Sequence, residues 1–244
     1  MIAFLTSSPV IPGTDDLNPA NGFIDAIRGC LPDPVRALFV ASDPASPDKM
    51  DLFGGSMKHI FERSGFRFAA FRTLDDRNRA EAEALIAASD FIILAGGHVP
   101  TQNRFFREIG LREMLRGYPG VLMGISAGSM NAAETVYVQP EEPGEAVDPD
   151  FVRFAPGLGL TRAMILPHYQ MVKDNVLDGL RLFEDITFGD SHGHCFTVMV
   201  DGTYLLVRED GSQELRGEAY SVQDGVMVPL CAEGECISLE EAVV

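Results

Sequence analysis

The chain has 244 residues, 46% of them hydrophobic and 23% charged, enough apolar side chains for a sizeable core and with no segment polar enough to read as disordered. Acidic residues outnumber basic ones 36 to 19, for a formal net charge of −17. A field of that sign repels phosphate backbones and anionic lipid, which argues against nucleic-acid and membrane-surface roles and leaves a small substrate as the expected partner.

The opening MIAFLTSSPVIPG has no basic segment ahead of its short apolar run and reads as a first strand rather than a signal peptide. No apolar run approaches the ~20 residues of a membrane span. Cys30, Cys195, Cys231 and Cys236 are scattered without CxxC spacing and read as reduced thiols of a cytoplasmic protein, although Cys231 and Cys236 could pair if oxidised.

Strand and helix patterns alternate from there. IAFLTS and VRALFVAS are buried-strand runs, and DKMDLFGGSMKHIFERSG is a helix pattern ending at Gly65. FRFAAF follows as a third strand, DDRNRAEAEALIAASD as a helix, and FIILAGG as a fourth strand running into glycines. TQNRFFREIGLREMLRG is an amphipathic helix with Thr101 as N-cap and Phe105, Ile109, Leu111 and Leu115 among its apolar positions. VLMGI makes a fifth strand. Apolar strands alternating with helices predict an α/β fold, a mainly parallel sheet covered by helices on both faces.

Beyond residue 134 the texture changes. VYVQPEEPGEAVDPDF reads as a long acidic loop, AMILPHY as a strand ending in Pro167-His168, and VKDNVLDGLRLFEDI as a further helix. CFTVMVDGTYLLVREDGSQEL and SVQDGVMVPL carry three Asp-Gly turn signals and predict C-terminal antiparallel hairpins. With no internal repeat, low-complexity run or linker, residues 1–244 read as a single domain. The closing CAEGECISLEEAVV has apolar ends that could pack on a neighbouring subunit, so a homo-oligomer stays open.

Gly124-x-Ser126-x-Gly128 stands where the fifth strand gives way to a helix, the context a nucleophile elbow requires. A serine attacks only if it is presented at the tip of a sharp turn with backbone close on both sides, and that turn tolerates little bulk beside it. The bland reading is a tight turn whose serine caps the helix. The amide of Ala127 would stabilise a developing oxyanion. Of the five histidines, His168 at a strand end is the candidate base. His59 reads as a surface or packing residue of its helix. His192 and His194, in DSHGHC, lack a third ligand at zinc-like spacing and read as a loop, so no metal is expected. Glu141, Glu142, Glu145 and Asp148 lie between the serine and His168, and one of them would orient the imidazole.

AGGHVPTQNRFF, GISAGSMNAAE, the QPEEPGEAVDP loop and ILPHY, in that order, resemble the peptidase S51 family, which includes dipeptidase E and cyanophycinase. The resemblance spans roughly residues 35 to 230, with GEAYSVQDG near its end. It implies a class I glutamine-amidotransferase-like fold with serine in place of the cysteine, and a Ser–His–acid site in the chain order serine, acid, histidine. Ser126 is then the nucleophile, His168 the base and Glu141 the acid, with Glu142 one register away. Gly97 would join Ala127 in the oxyanion hole. His98 replaces the family's asparagine, and His98, Gln102 and Asn103 are candidate substrate contacts. Arg104 would meet an aspartyl substrate only if it pointed inward.

The expectation is a cofactor-free serine peptidase acting on a small peptide or related amide. The alternatives are an esterase of the α/β-hydrolase class, which shares the GxSxG signature, and a non-catalytic binding protein on the same fold.

Overall fold

The computed structural model describes residues 1–239. β1 (Ile2–Thr6), β2 (Val35–Val40), β3 (Phe68–Leu74), β4 (Phe91–Leu94) and β5 (Val121–Ile125) pair in parallel in the order β1-β5-β4-β2-β3. Their side chains alternate between two apolar layers, as a sheet buried on both faces requires. Ala3, Leu5, Leu38 and Leu94 face one layer, and Phe4, Phe39, Ile93 and Met123 face the other. The helices α1 (Phe23–Arg28), α2 (Pro47–Arg63), α3 (Ala82–Ala87), α4 (Val99–Ile109) and α5 (Leu111–Met114) connect these strands. Helix α2 ends ahead of Gly65, whose φ of +85° suits glycine. The amphipathic stretch after β4 is two helices, because Gly110 takes a left-handed conformation between them. Its cap is His98 rather than Thr101, since Pro100 pre-sets the first turn and draws the start back to Val99.

After α6 (Ala127–Asn131), the short β6 (Thr135–Tyr137) and β7 (Phe154–Pro156) clasp the base of the acidic loop. β8 (Met164–Leu166) does not join the central sheet. It is the edge of a second, four-stranded sheet ordered β15 (Val226–Cys231), β14 (Ala219–Gln223), β11 (Cys195–Met199) and β8. The helix expected over 172–186 is instead a small hairpin, β9 (Val176–Leu177) and β10 (Leu180–Arg181), followed by a π-helical turn over Leu182–Thr187. Asp178 and Gly179 both take positive φ there and reverse the chain.

The C-terminal strands divide between the sheets. β11 (Cys195–Met199) lies in the second sheet, whereas β12 (Tyr204–Val207), antiparallel to β1, and β13 (Gln213–Arg216), antiparallel to β12, extend the central one. Asp201-Gly202 is therefore a crossing between sheets and not the expected hairpin turn. The other two signals behave as expected: Asp210-Gly211 joins β12 to β13, and Asp224-Gly225 joins β14 (Ala219–Gln223) to β15 (Val226–Cys231). β16 (Cys236–Ser238) closes the central sheet of eight strands. All four cysteines are free thiols, Cys231 and Cys236 included. Among the described residues no helix is long and apolar enough to cross a membrane, and the last five residues of the chain lie outside those described.

Candidate active site

Ser126 stands between β5 and α6 with φ +51° and ψ −111°, a conformation that costs a non-glycine residue of order 1–3 kcal/mol. The surroundings fix it. Its amide donates to the carbonyls of Thr6 and Ser7 at the end of β1, and its carbonyl accepts the Ser129 and Met130 amides that start α6. The flanking glycines are steric requirements. A Cβ on Gly124 would lie 2.8 Å from the Ser129 nitrogen, and one on Gly128 would lie 2.4 Å from the Leu94 carbonyl oxygen. Gly128→Ala is accordingly expected to cost about 1–3 kcal/mol of stability by overpacking, read as a lower thermal midpoint. Gly96 lies against the nucleophile strand, where a Cβ would sit 3.5 Å from the Ser126 Cβ, and Gly97 continues that turn. Ala127, first in its helix, has an amide with no partner inside the helix.

His168 caps the short turn Tyr169–Val172 in a left-handed conformation, φ +60°, directly after β8. Its Nδ1 lies 2.7 Å from Oδ1 of Asp201. That carboxylate, at the crossing between sheets, also accepts the Ser7 hydroxyl at 2.7 Å, and the Ser7 oxygen accepts the His168 amide at 2.8 Å. One buried hydroxyl at the end of β1 thus links the second sheet to the nucleophile strand. Burial raises the Asp201 carboxyl, but the hydrogen bond and charge of His168, with the Ser7 hydroxyl, outweigh it and hold the group below the usual carboxylate range. With Asp201 ionised, Nδ1 donates and Nε2 is the free acceptor.

The linked stability has a definite sign. A carboxylate with a depressed native pKa contributes stability above its unfolded pKa of about 3.9 and loses it as pH falls through the native value. The gap in unfolding free energy between wild type and Asp201→Asn is expected to shrink as denaturation is repeated from pH 7 down to pH 3.

Ser126 and His168 line one cleft of about 280 Å³, open to solvent, near the lower end of the size range of small-ligand sites. Met130, Val172, Leu177 and Leu182 make its apolar wall, and Gln139, Glu141 and Asn175 its polar edge. The serine hydroxyl and His168 share the cleft without a hydrogen bond between them. Such contacts commonly tighten when substrate binds.

Glu141 lines this cleft but does not touch the ring nitrogen of His168; the carboxylate there is Asp201, and neither Glu141 nor Glu142 replaces it. The carboxylate therefore follows the histidine in the chain, in the order Ser126, His168, Asp201, and does not precede it as expected. The reason lies in the acidic loop. Glu145 Oε2 accepts the amides of Glu141 and Glu142, while its Oε1 meets His98 Nε2 at 2.8 Å. Burial raises Glu145, but those two amides and His98 hold it below the usual range. Asp178 accepts the amides of Gly144 and Ala146 from the other side. The loop is pinned across the start of α4, away from Asp201. Surrounding protein desolvates the Glu141 carboxyl and pushes it up to about 7, against the pull of His98 and the Val99 amide.

His98 is a loop anchor, with Nδ1 also 2.8 Å from the Thr101 hydroxyl, and does not line the cleft. His98, Glu142 and Glu145 bring possible metal-ligand atoms within 4.8 Å of one another, but Glu145 already spends both oxygens on protein donors. Gln102 and Asn103 do not line this cleft. They are 0% and 6% exposed, and their amides join Asn131, the Ala95 carbonyl and the Pro156 carbonyl in a buried network behind α6. Arg104 points to solvent. His59 is exposed, His192 is an exposed loop residue, and His194 stacks on Phe154 with centroids 4.1 Å apart. Asp201 and Ser7 are the residues that sequence reasoning missed. The only signal for Asp201 was an Asp-Gly pair that also fits a hairpin.

Comparison with known proteins agrees with this architecture. The model of peptidase family S51 matches residues 3–215. None of the curated proteins matches the chain. Among solved structures, a peptidase from an acI-B1 actinobacterium superposes with a TM-score of 0.62 at 17% identity, over 98% of this chain and 96% of that one. A putative peptidase E protein from Listeria monocytogenes EGD-e gives 0.58 at 16% identity, over 94% of this chain and 98% of that one. At such identities the likeness establishes a shared fold.

Proposed function

Since the chain belongs to peptidase family S51, we propose that it is a serine peptidase acting on a small peptide or related amide, with Ser126 as nucleophile, His168 as base and Asp201 as the orienting acid. The observation that carries the reading is a strained, glycine-flanked serine sharing one cleft with a histidine whose Nδ1 is held by a buried carboxylate. Nε2 of His168 takes the hydroxyl proton as Ser126 Oγ attacks the carbonyl carbon. The amides of Gly97 and Ala127 stabilise the resulting oxyanion. Collapse expels the amine, which receives the proton from His168, and water then releases the acyl group by the same relay run again. Asp201 keeps the ring in the productive tautomer and balances its charge while it is protonated.

No step calls for a cofactor. The test is a library of dipeptides and tripeptides incubated with wild type and Ser126→Ala and read by mass spectrometry. Cleavage by wild type alone is expected. Cleavage that survives in the variant, or turnover of esters only, contradicts the reading.

A further inference from the structure

We propose that Glu141 is the specificity-determining carboxylate of this cleft, and that the site takes substrates bearing a positive group near the scissile carbonyl and discriminates against acidic ones. This rests on the serine-peptidase reading of the same cleft. Among the described residues, no lysine or arginine lines the cavity, whose one carboxyl is that of Glu141. Lys173, beside the cleft-lining Val172, is exposed and does not line the cavity. Arg104 is exposed on α4, and Arg153 reaches Asp190 and the Ala146 carbonyl. An acidic side chain entering here would give up water for an apolar wall and a like charge, with no cation to meet it. An ammonium or guanidinium would gain the opposite, a charge-assisted contact in a partly desolvated site.

Two features strengthen the assignment. The backbone under Glu141 is fixed by a relay from His98 through Glu145, so the residue at the cleft edge does not swing freely with a loop. Its desolvation, with the charges of Glu145 and Glu142 beside it, raises the Glu141 carboxyl. A bound cation would offset that cost, and His98, facing the same group, already favours the ionised form. The −17 formal charge also draws cationic ligands toward the molecule. The positive group could be a free amino terminus or a basic side chain, and the test separates the two.

The experiment is the rate of covalent labelling at Ser126, followed by intact mass. An alkyl fluorophosphonate serves as reference. The other probes are diphenyl phosphonate analogues of leucine with a free amine, N-acetyl-leucine, N-acetyl-lysine and N-acetyl-aspartate. In each diphenyl phosphonate reaction Ser126 Oγ bonds to phosphorus and phenoxide leaves, while the hydroxyl proton passes to His168. One or both cationic probes are expected to label at least about tenfold faster than N-acetyl-leucine, as a charged hydrogen bond allows, with N-acetyl-aspartate slowest. In Glu141→Gln the ratio of cationic to neutral rates should fall toward one. Glu141→Asp should retain part of the preference. Faster labelling by the leucine analogue identifies the amino terminus, and by the N-acetyl-lysine analogue a side chain. A preference for the aspartate analogue, or a cationic preference that persists in Glu141→Gln, overturns the proposal while leaving the serine reading intact. Absence of any fluorophosphonate adduct in wild type overturns both.

Discussion

Ser126→Ala is expected to lower kcat for peptide hydrolysis by about 10⁴-fold or more, the scale seen when a hydrolase nucleophile is removed. Its stability should stay within about 0.5 kcal/mol of wild type, because the change removes one hydroxyl and leaves the packing intact. The elbow does not depend on that hydroxyl. It is set by the Ser126 amide on the ends of β1, by the first bonds of α6, and by the close approach of Gly124 and Gly128 to their neighbours. Alanine at φ +51° carries the same strain as serine, so circular dichroism and the unfolding midpoint should match wild type while turnover disappears. That pairing separates a catalytic serine from a helix cap, whose loss would cost stability and spare activity.

The second large effect is expected from Asp201→Asn. The substitution keeps the shape of the side chain but removes the charge that balances the imidazolium. Where the new amide nitrogen faces Nδ1, it also holds His168 in the tautomer that cannot accept the Ser126 proton. A fall in kcat of about 10³ to 10⁴-fold follows, close to the effect of the same change in another serine protease. Steady-state kinetics on one peptide should show KM much less affected than kcat. Were Glu141 the orienting acid, this collapse would belong to Glu141→Gln instead. Oδ1 of Asp201 accepts from both His168 and Ser7, so where the amide nitrogen takes that place the Ser7 hydroxyl loses its acceptor as well.

Much of this architecture is written locally in the chain. The five parallel strands are short apolar runs between turn signals, and their periodicity reads directly as a doubly covered sheet. The elbow is equally legible, since Gly124, Ser126 and Gly128 act within one turn, and Pro167-His168 marks a strand end on its own. What was hidden depends on contacts between distant segments. Asp201 meets His168 across 33 residues because the chain leaves one sheet for the other at Asp201-Gly202, and a dipeptide cannot say whether it turns back or crosses. Asp178-Gly179 carried the opposite ambiguity and was absorbed into a helix pattern that its reversal breaks. Glu141 sat at the expected spacing from the serine, yet its loop is pinned through Glu145 to His98, and the carboxylate at His168 is Asp201. Gln102 and Asn103 looked like rim residues because polar side chains on an amphipathic helix usually face water. Here that face packs on α6, and the two amides satisfy each other's neighbours.

The most direct measurement is fluorophosphonate labelling followed by peptide mapping, run on wild type, Ser126→Ala and Asp201→Asn. A single adduct on Ser126, absent from the first variant and formed far more slowly in the second, is the predicted result. An adduct on another residue, or labelling at Ser126 that is indifferent to Asp201, would contradict the relay from Asp201 through His168 to Ser126.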